Sequence, residues 1–146
     1  MKIAIGCDHR GFKLKKKLME SLTEMGHTYQ DFGSYDTNPV DYPDIASKVA
    51  GAVSRREFDR GILVCGTGIG MAIAANKFPG IRAALALDTF LARRAREHIN
   101  ANVLSLSAEE TPEEKAKEIV QTFLTTEFEG GRHLRRIEKI GEIEKE

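Results

Sequence analysis

Short apolar runs alternate with longer amphipathic ones along the chain. KIAIGC (2–7) opens the series as a first strand. From Gly11 to Met25, the residues Phe12, Leu14, Leu18, Leu22 and Met25 recur near a 3.6-residue period, which predicts a helix. Gly26 supplies its stop. HTYQDFG (27–33) alternates and predicts the second strand. Asn38-Pro39 and Tyr42-Pro43 punctuate a turn-rich stretch from Ser34 to Pro43, and Pro43 suits the first turn of a helix reaching about Arg55. GILVCG (61–66) predicts strand three. A short helix follows from Ile69 to Phe78, stopped by Pro79-Gly80. IRAALAL (81–87) predicts strand four, Thr89 to Glu97 a helix, and NVLSLS (102–107) strand five. Thr111-Pro112-Glu113-Glu114 predicts another helix start, with Thr111 as cap, Pro112 in the first position and Glu114 completing a capping box. That helix runs to about Thr126. EFEGGR interrupts, and a last helix covers Arg132 to about Lys145.

Five strands, each followed by a helix, predict an α/β fold with a parallel sheet covered on both faces and an extra C-terminal helix. No linker or repeat divides the chain, so residues 1–146 read as one domain. On a flavodoxin-like strand order, 2-1-3-4-5, strands one and three are neighbours where the order reverses, and ligands bind outside the carboxyl ends of strands at such a point. The final helix lies beyond the last strand–helix unit and is the piece expected to reach a neighbouring subunit.

The loops after strands one and three hold the polar residues. The first is Cys7-Asp8-His9-Arg10-Gly11, the second Cys65-Gly66-Thr67-Gly68-Ile69-Gly70. A thiol at the top of a strand, before a helix start, sits in the positive field of unpaired backbone N–H groups, which favours thiolate. Glycines let successive N–H groups converge on one oxygen, a phosphate or a developing oxyanion. The plainer account of a free cysteine is a small buried hydrophobe. Cys7 takes that account; the position of Cys65 favours function. Asp8 and His9 fit a turn and helix cap or a ligand contact. His98 fits a helix C-terminal cation or a proton shuttle. Arg132 and Arg136 share a helical face, as a solvated row paired with Glu138 or Glu142, or as a phosphate clamp. Tyr42 fits packing or a ligand equally well. The run from Cys65 to Asp88 imitates a dinucleotide fingerprint, but its glycines run G-x-G-x-G and it stands in the third unit.

Charge excludes some classes. Lys plus Arg and Asp plus Glu are 22 each. That balance argues against nucleic-acid binding, although arginines cluster at Arg93-Arg94-Arg96 and Arg132-Arg135-Arg136. Two distant cysteines and no paired-histidine motif predict no bound metal. The start, MKIAIGCDHRG, reads as neither a secretion signal nor a membrane span, which predicts a cytoplasmic protein with reduced thiols.

GCDHRG, DYPDIA, CGTGIGMAIAANK, REHINANV and EGGRHLRR occur in this order from Lys2 to about Ile140. Together they resemble the ribose-5-phosphate isomerase type B family, a group that also acts on allose 6-phosphate and galactose 6-phosphate. The resemblance implies a Rossmann-like αβα fold and a homodimer or dimer of dimers, with no metal or cofactor and no nucleic-acid or membrane partner. It implies furanose opening, then proton transfer between C2 and C1 through a cis-enediolate, interconverting D-ribose 5-phosphate and D-ribulose 5-phosphate. Cys65 matches the general base, His98 the ring-opening acid, and Thr67 the residue that assists proton movement. Gly66, Thr67, Gly68, Ile69 and Gly70 match the anion hole. Asp8 and His9 match substrate contacts, and Arg132 and Arg136 phosphate contacts. One site draws on two subunits in that family.

One position departs from the pattern. The family's catalytic histidine is commonly followed by an asparagine that contacts substrate; here Ile99 follows His98, and Asn100 comes one place later. Either Asn100 takes over that contact, or sugar preference differs. A branch with a glutamate base is not matched, because Met71-Ala72-Ile73 follows the glycine loop. A non-catalytic nucleotide-binding domain using the glycine loop is the reading from a different class.

Overall fold

All five expected strands form. The computed structural model describes residues 1–146 and pairs β1 (Lys2–Cys7), β2 (Thr28–Asp31), β3 (Arg60–Cys65), β4 (Ala83–Leu85) and β5 (Val103–Ser107) in one parallel sheet. The helices are α1 (Phe12–Glu24), α2 (Tyr42–Ser54), α3 (Ile69–Ala75), α4 (Thr89–Glu97), α5 (Glu113–Thr125) and α6 (Arg132–Glu144). No helix is long and apolar enough to cross a membrane.

Two buried clusters make the layers. Ile3, Ile5, Ile62, Val64, Leu104 and Leu106 pack against α1, α4 and α5. Ala4, Leu63 and Val103 pack against α2 and α3. Because successive strand residues face opposite sides, the two cysteines diverge: Cys7 belongs to the first cluster and Cys65 to the second.

The strand order is 2-1-3-5-4, which corrects the expected 2-1-3-4-5. An interior strand must bury both faces. All five residues of β5 are buried, whereas β4 is three residues long and only half-buried. β4 therefore takes the edge, where a short strand is tolerated. The Asn76 amide covers that edge: Nδ2 donates to the Ala83 carbonyl at 3.0 Å and Oδ1 accepts from the Ala83 N–H at 2.8 Å. That use of Asn76 accompanies the end of α3 at Ala75, short of the expected Phe78. The reversal of order stays between β1 and β3.

The expected capping box does not form. Pro112 is the N-cap of α5, no side chain caps the helix, and the Thr111 hydroxyl is buried without a partner. Extended backbone at Pro112, ψ 150°, starts the helix one residue later than the sequence pattern implies.

Candidate active site

A cleft of about 800 Å³ opens at the carboxyl ends of β1 and β3. Asp8, His9, Cys65, Gly66, Thr67, Ile69 and Gly70 all line it. The loops after strands one and three thus meet as the topology requires.

Cys65 is 5% exposed and its Sγ accepts the Gly68 N–H at 3.1 Å. Gly68 has φ +81°, a left-handed conformation that glycine adopts without a Cβ clash. The loop is held from behind by β5. Ser107 pairs with Cys65 across the strands and its Oγ donates to the Gly66 carbonyl at 2.8 Å; Ser105 Oγ donates to the Gly68 carbonyl at 2.6 Å. With these carbonyls tied down, the N–H groups of Gly66, Thr67 and Gly70 have no partner within the chain. Unpaired backbone donors in such a loop can hold an oxyanion. Thr67 Oγ1 accepts the Ile69 N–H at 3.2 Å, which fixes the hydroxyl over the loop.

Asp8 does cap the 3-10 turn His9–Gly11: Oδ1 accepts from the Arg10 and Gly11 N–H groups at 2.9 and 3.2 Å. One carboxylate oxygen is thereby spent on structure, while the residue still lines the cleft. Gly11 is required by packing, since a Cβ there would lie 2.6 Å from the Val64 carbonyl oxygen. His9 Nδ1 accepts the Val40 N–H at 3.2 Å, so the ring presents its other nitrogen elsewhere and ties the 34–41 loop to the site.

His98, Arg132 and Arg136 do not line this cleft. His98 is the C-cap of α4, and its ring stacks on His133 with centroids 4.1 Å apart and planes 12° apart. His133 Nε2 lies 3.3 Å from Glu129. Burial first, and then His98 and Arg132, hold the His133 pKa below the usual histidine value. Donor atoms of His98, Glu129 and His133 lie within 4.8 Å of one another. The near-parallel rings keep their in-plane lone pairs in separate planes, so a metal there requires the stack to break. Arg132 and Arg136 are exposed and form no ion pair within the chain, with Glu138 and Glu142 included.

Cys7 is fully buried, with its thiol 3.8 Å from the Ser34 carbonyl, and burial pushes its pKa up. Asp88, the acidic residue of the near-dinucleotide pattern, caps α4 by accepting the Leu91 N–H at 2.8 Å. Asn100 has φ +51° and its amide oxygen accepts from Arg96 at 2.8 Å. That side chain braces the turn after α4, which argues against its replacing a substrate contact.

Sequence reasoning missed the cleft residues Val40, Asp41 and Asp44 and left Tyr42 open; all four line the site. It also missed Ser105 and Ser107. The available signal was NVLSLS itself: a strand buried on both faces reads as continuously apolar, so serines at alternate places need partners on one side.

A family model described as Ribose/Galactose Isomerase matches residues 3–140. Ribose-5-phosphate isomerase B of Escherichia coli is 47% identical over 143 residues, covering 98% of this chain and 96% of that protein. Among solved structures, ribose-5-phosphate isomerase B of Clostridium thermocellum superposes with a TM-score of 0.98 at 51% identity, covering 99% of this chain and 98% of that one. The Mycoplasma genitalium enzyme with bound ribulose-5-phosphate gives 0.95 at 46% identity, covering 99% and 97%.

Proposed function

The chain belongs to the ribose/galactose isomerase family, and on that premise we propose that residues 1–146 form one catalytic domain interconverting D-ribose 5-phosphate and D-ribulose 5-phosphate. The observation that carries this reading is the Cys65 sulfur held by the Gly68 N–H beside three unpaired loop donors.

As His98 protonates the ring oxygen, the C1 hydroxyl gives its proton to water, the bond from C1 to the ring oxygen breaks and the furanose opens to an aldehyde; the Cys65 thiolate then takes the C2 proton. The electron pair left behind forms the C1–C2 double bond, and negative charge collects on oxygen. The unpaired N–H groups of Gly66, Thr67 and Gly70 hold that charge, and Thr67 helps move a proton between the two oxygens. Cys65 then returns its proton to C1. A proton beside a carbonyl is weakly acidic, so the base depends on the donors; losing one such donor costs about 100- to 1,000-fold in rate. Asp8 and His9 hold hydroxyls of the sugar, and Arg132 and Arg136 its phosphate. This chemistry needs no cofactor.

His98, Arg132 and Arg136 lie outside the cleft of their own chain, so a second copy completes the site. Supporting this, α6 carries exposed Leu134, Ile140 and Ile143 in the same helix as both arginines. Ile69 and Ile73 on α3 and Phe90 on α4 are also exposed. Apolar surface of this kind is what a homodimer covers.

Ile99 favours a second reading, in which another aldose phosphate is preferred. Turnover measured side by side on ribose 5-phosphate, allose 6-phosphate and galactose 6-phosphate separates the two. A ribose 5-phosphate kcat/KM above both others supports the first reading; the reverse order replaces it.

A further inference from the structure

At the opposite end of the sheet, where the strands begin, lies a second cleft of about 670 Å³. Four arginines line it, Arg56, Arg60, Arg82 and Arg96, against one carboxylate, Asp59. Asp59 is already engaged, accepting the Lys2 N–H at 2.7 Å. None of the ion pairs within the chain involves any of these arginines. Their guanidiniums are anchored by neutral acceptors instead. Arg60 Nη1 donates to the Phe123 carbonyl at 2.5 Å. Arg82 Nε donates to the Ile99 and Asn100 carbonyls at 3.1 and 2.9 Å. Arg96, only 5% exposed, donates to the Thr126 and Ala101 carbonyls and to Asn100 Oδ1. Nη2 of Arg60, Arg82 and Arg96 makes no hydrogen bond within the chain.

Asp59, Glu144 and Glu127 favour the charges of Arg60, Arg82 and Arg96 from beyond ion-pair distance, yet half-buried like charges with no direct counter-ion are costly, and buried charges are ordinarily paired. Here burial, and then the Arg60 and Arg82 guanidiniums, hold Arg96 down to about 10. The only two non-glycine residues with positive φ, Arg56 and Asn100, both line this cleft. Rigid forks anchored from behind, with Nη2 left over on each, suit an oxyanion of several charges.

We propose that this cleft is an anion site, distinct from the catalytic cleft, that binds a polyphosphate-type oxyanion through Arg60, Arg82 and Arg96. Arg56 stands at its rim. The same anchors hold the turn at Ile99–Ala101 directly after His98, so an anion here also stiffens that turn; this last consequence rests on the isomerase reading, whereas the binding itself does not.

The test is calorimetric titration of the purified oligomer with sodium pyrophosphate at fixed ionic strength. An Arg132→Gln/Arg136→Gln background removes the arginines assigned to substrate phosphate. One saturable site per chain is expected in that background, weakened about tenfold or more by adding Arg60→Gln. No saturable binding, or binding unchanged by Arg60→Gln, overturns the proposal. If a partner subunit's carboxylates fill the cluster, pyrophosphate does not bind, and that result overturns it as well. Should Arg60→Gln fail to fold, the exposed Arg56→Gln carries the test: affinity about threefold weaker supports the site, and unchanged affinity overturns it. Because binding rather than turnover is read, failure here is distinguishable from failure of the isomerase assignment.

Discussion

Ser107 in β5 lies opposite Cys65 in β3, and its hydroxyl donates to the Gly66 carbonyl at 2.8 Å. The residue that supplies the sulfur and the residue that fixes the loop above it therefore sit side by side in the sheet. This follows from β5 taking the place expected for β4. The serine hydroxyls pull two loop carbonyls toward the sheet and leave the loop N–H groups for a ligand.

Ser107→Ala tests that relationship. The Gly66 carbonyl keeps the Glu109 N–H at 3.0 Å while the Glu110 N–H loses the serine oxygen it donates to at 3.1 Å, so the stability cost is about 1–2 kcal/mol. Loosening of the loop is expected to lower kcat about tenfold, since a small misplacement of reacting groups is expensive. KM should move much less. Steady-state kinetics with a thermal melt separate the two effects; a proportional loss of stability and unchanged kcat would show that the serine only supports the fold.

Cys65→Ala removes the proposed base. Loss of about 1,000-fold or more in turnover is expected, with exchange of the C2 proton into solvent abolished and substrate affinity largely kept. NMR exchange in deuterated buffer reads the first and calorimetry the second. Normal exchange in this variant would reassign the base.

The two thiols should behave oppositely. Cys65 lines the open cleft, so iodoacetamide is expected to modify it in the native protein, with substrate protecting. Cys7 is sealed and its pKa is raised above 9.0 by burial. A raised folded-state pKa means the folded form holds its proton while the unfolded chain releases it. The contribution is whole below pH 9 and is lost as pH climbs through the folded value. Cys7→Ala should flatten the decline of stability above pH 9, measured by urea melts across that range, and mass spectrometry should find native Cys7 unmodified at neutral pH.

The sequence makes the repeating strand–helix order and both polar loops legible, because hydrophobic period and glycine placement are local signals. Neighbour relations within the sheet are not local. β4 goes to the edge because of its shortness and because Asn76 covers its free backbone groups, neither of which is apparent in IRAALAL. Thr111 illustrates the same limit: its cap motif is complete in sequence, yet backbone at Pro112 leaves the hydroxyl alone. His98 and the two α6 arginines match family motifs well, but only the folded chain reveals that they lie apart from the cleft holding Cys65.

That separation gives the most direct measurement. Cys65→Ala and His98→Asn chains, each inactive alone, are unfolded together, refolded and assayed. If one site takes its sulfur from one subunit and its imidazole from the other, each mixed dimer regains one intact site, and the mixture recovers about a quarter of wild-type activity. If the mixture exchanges subunits yet stays inactive, both groups act within one chain, contradicting a catalytic site shared between two copies.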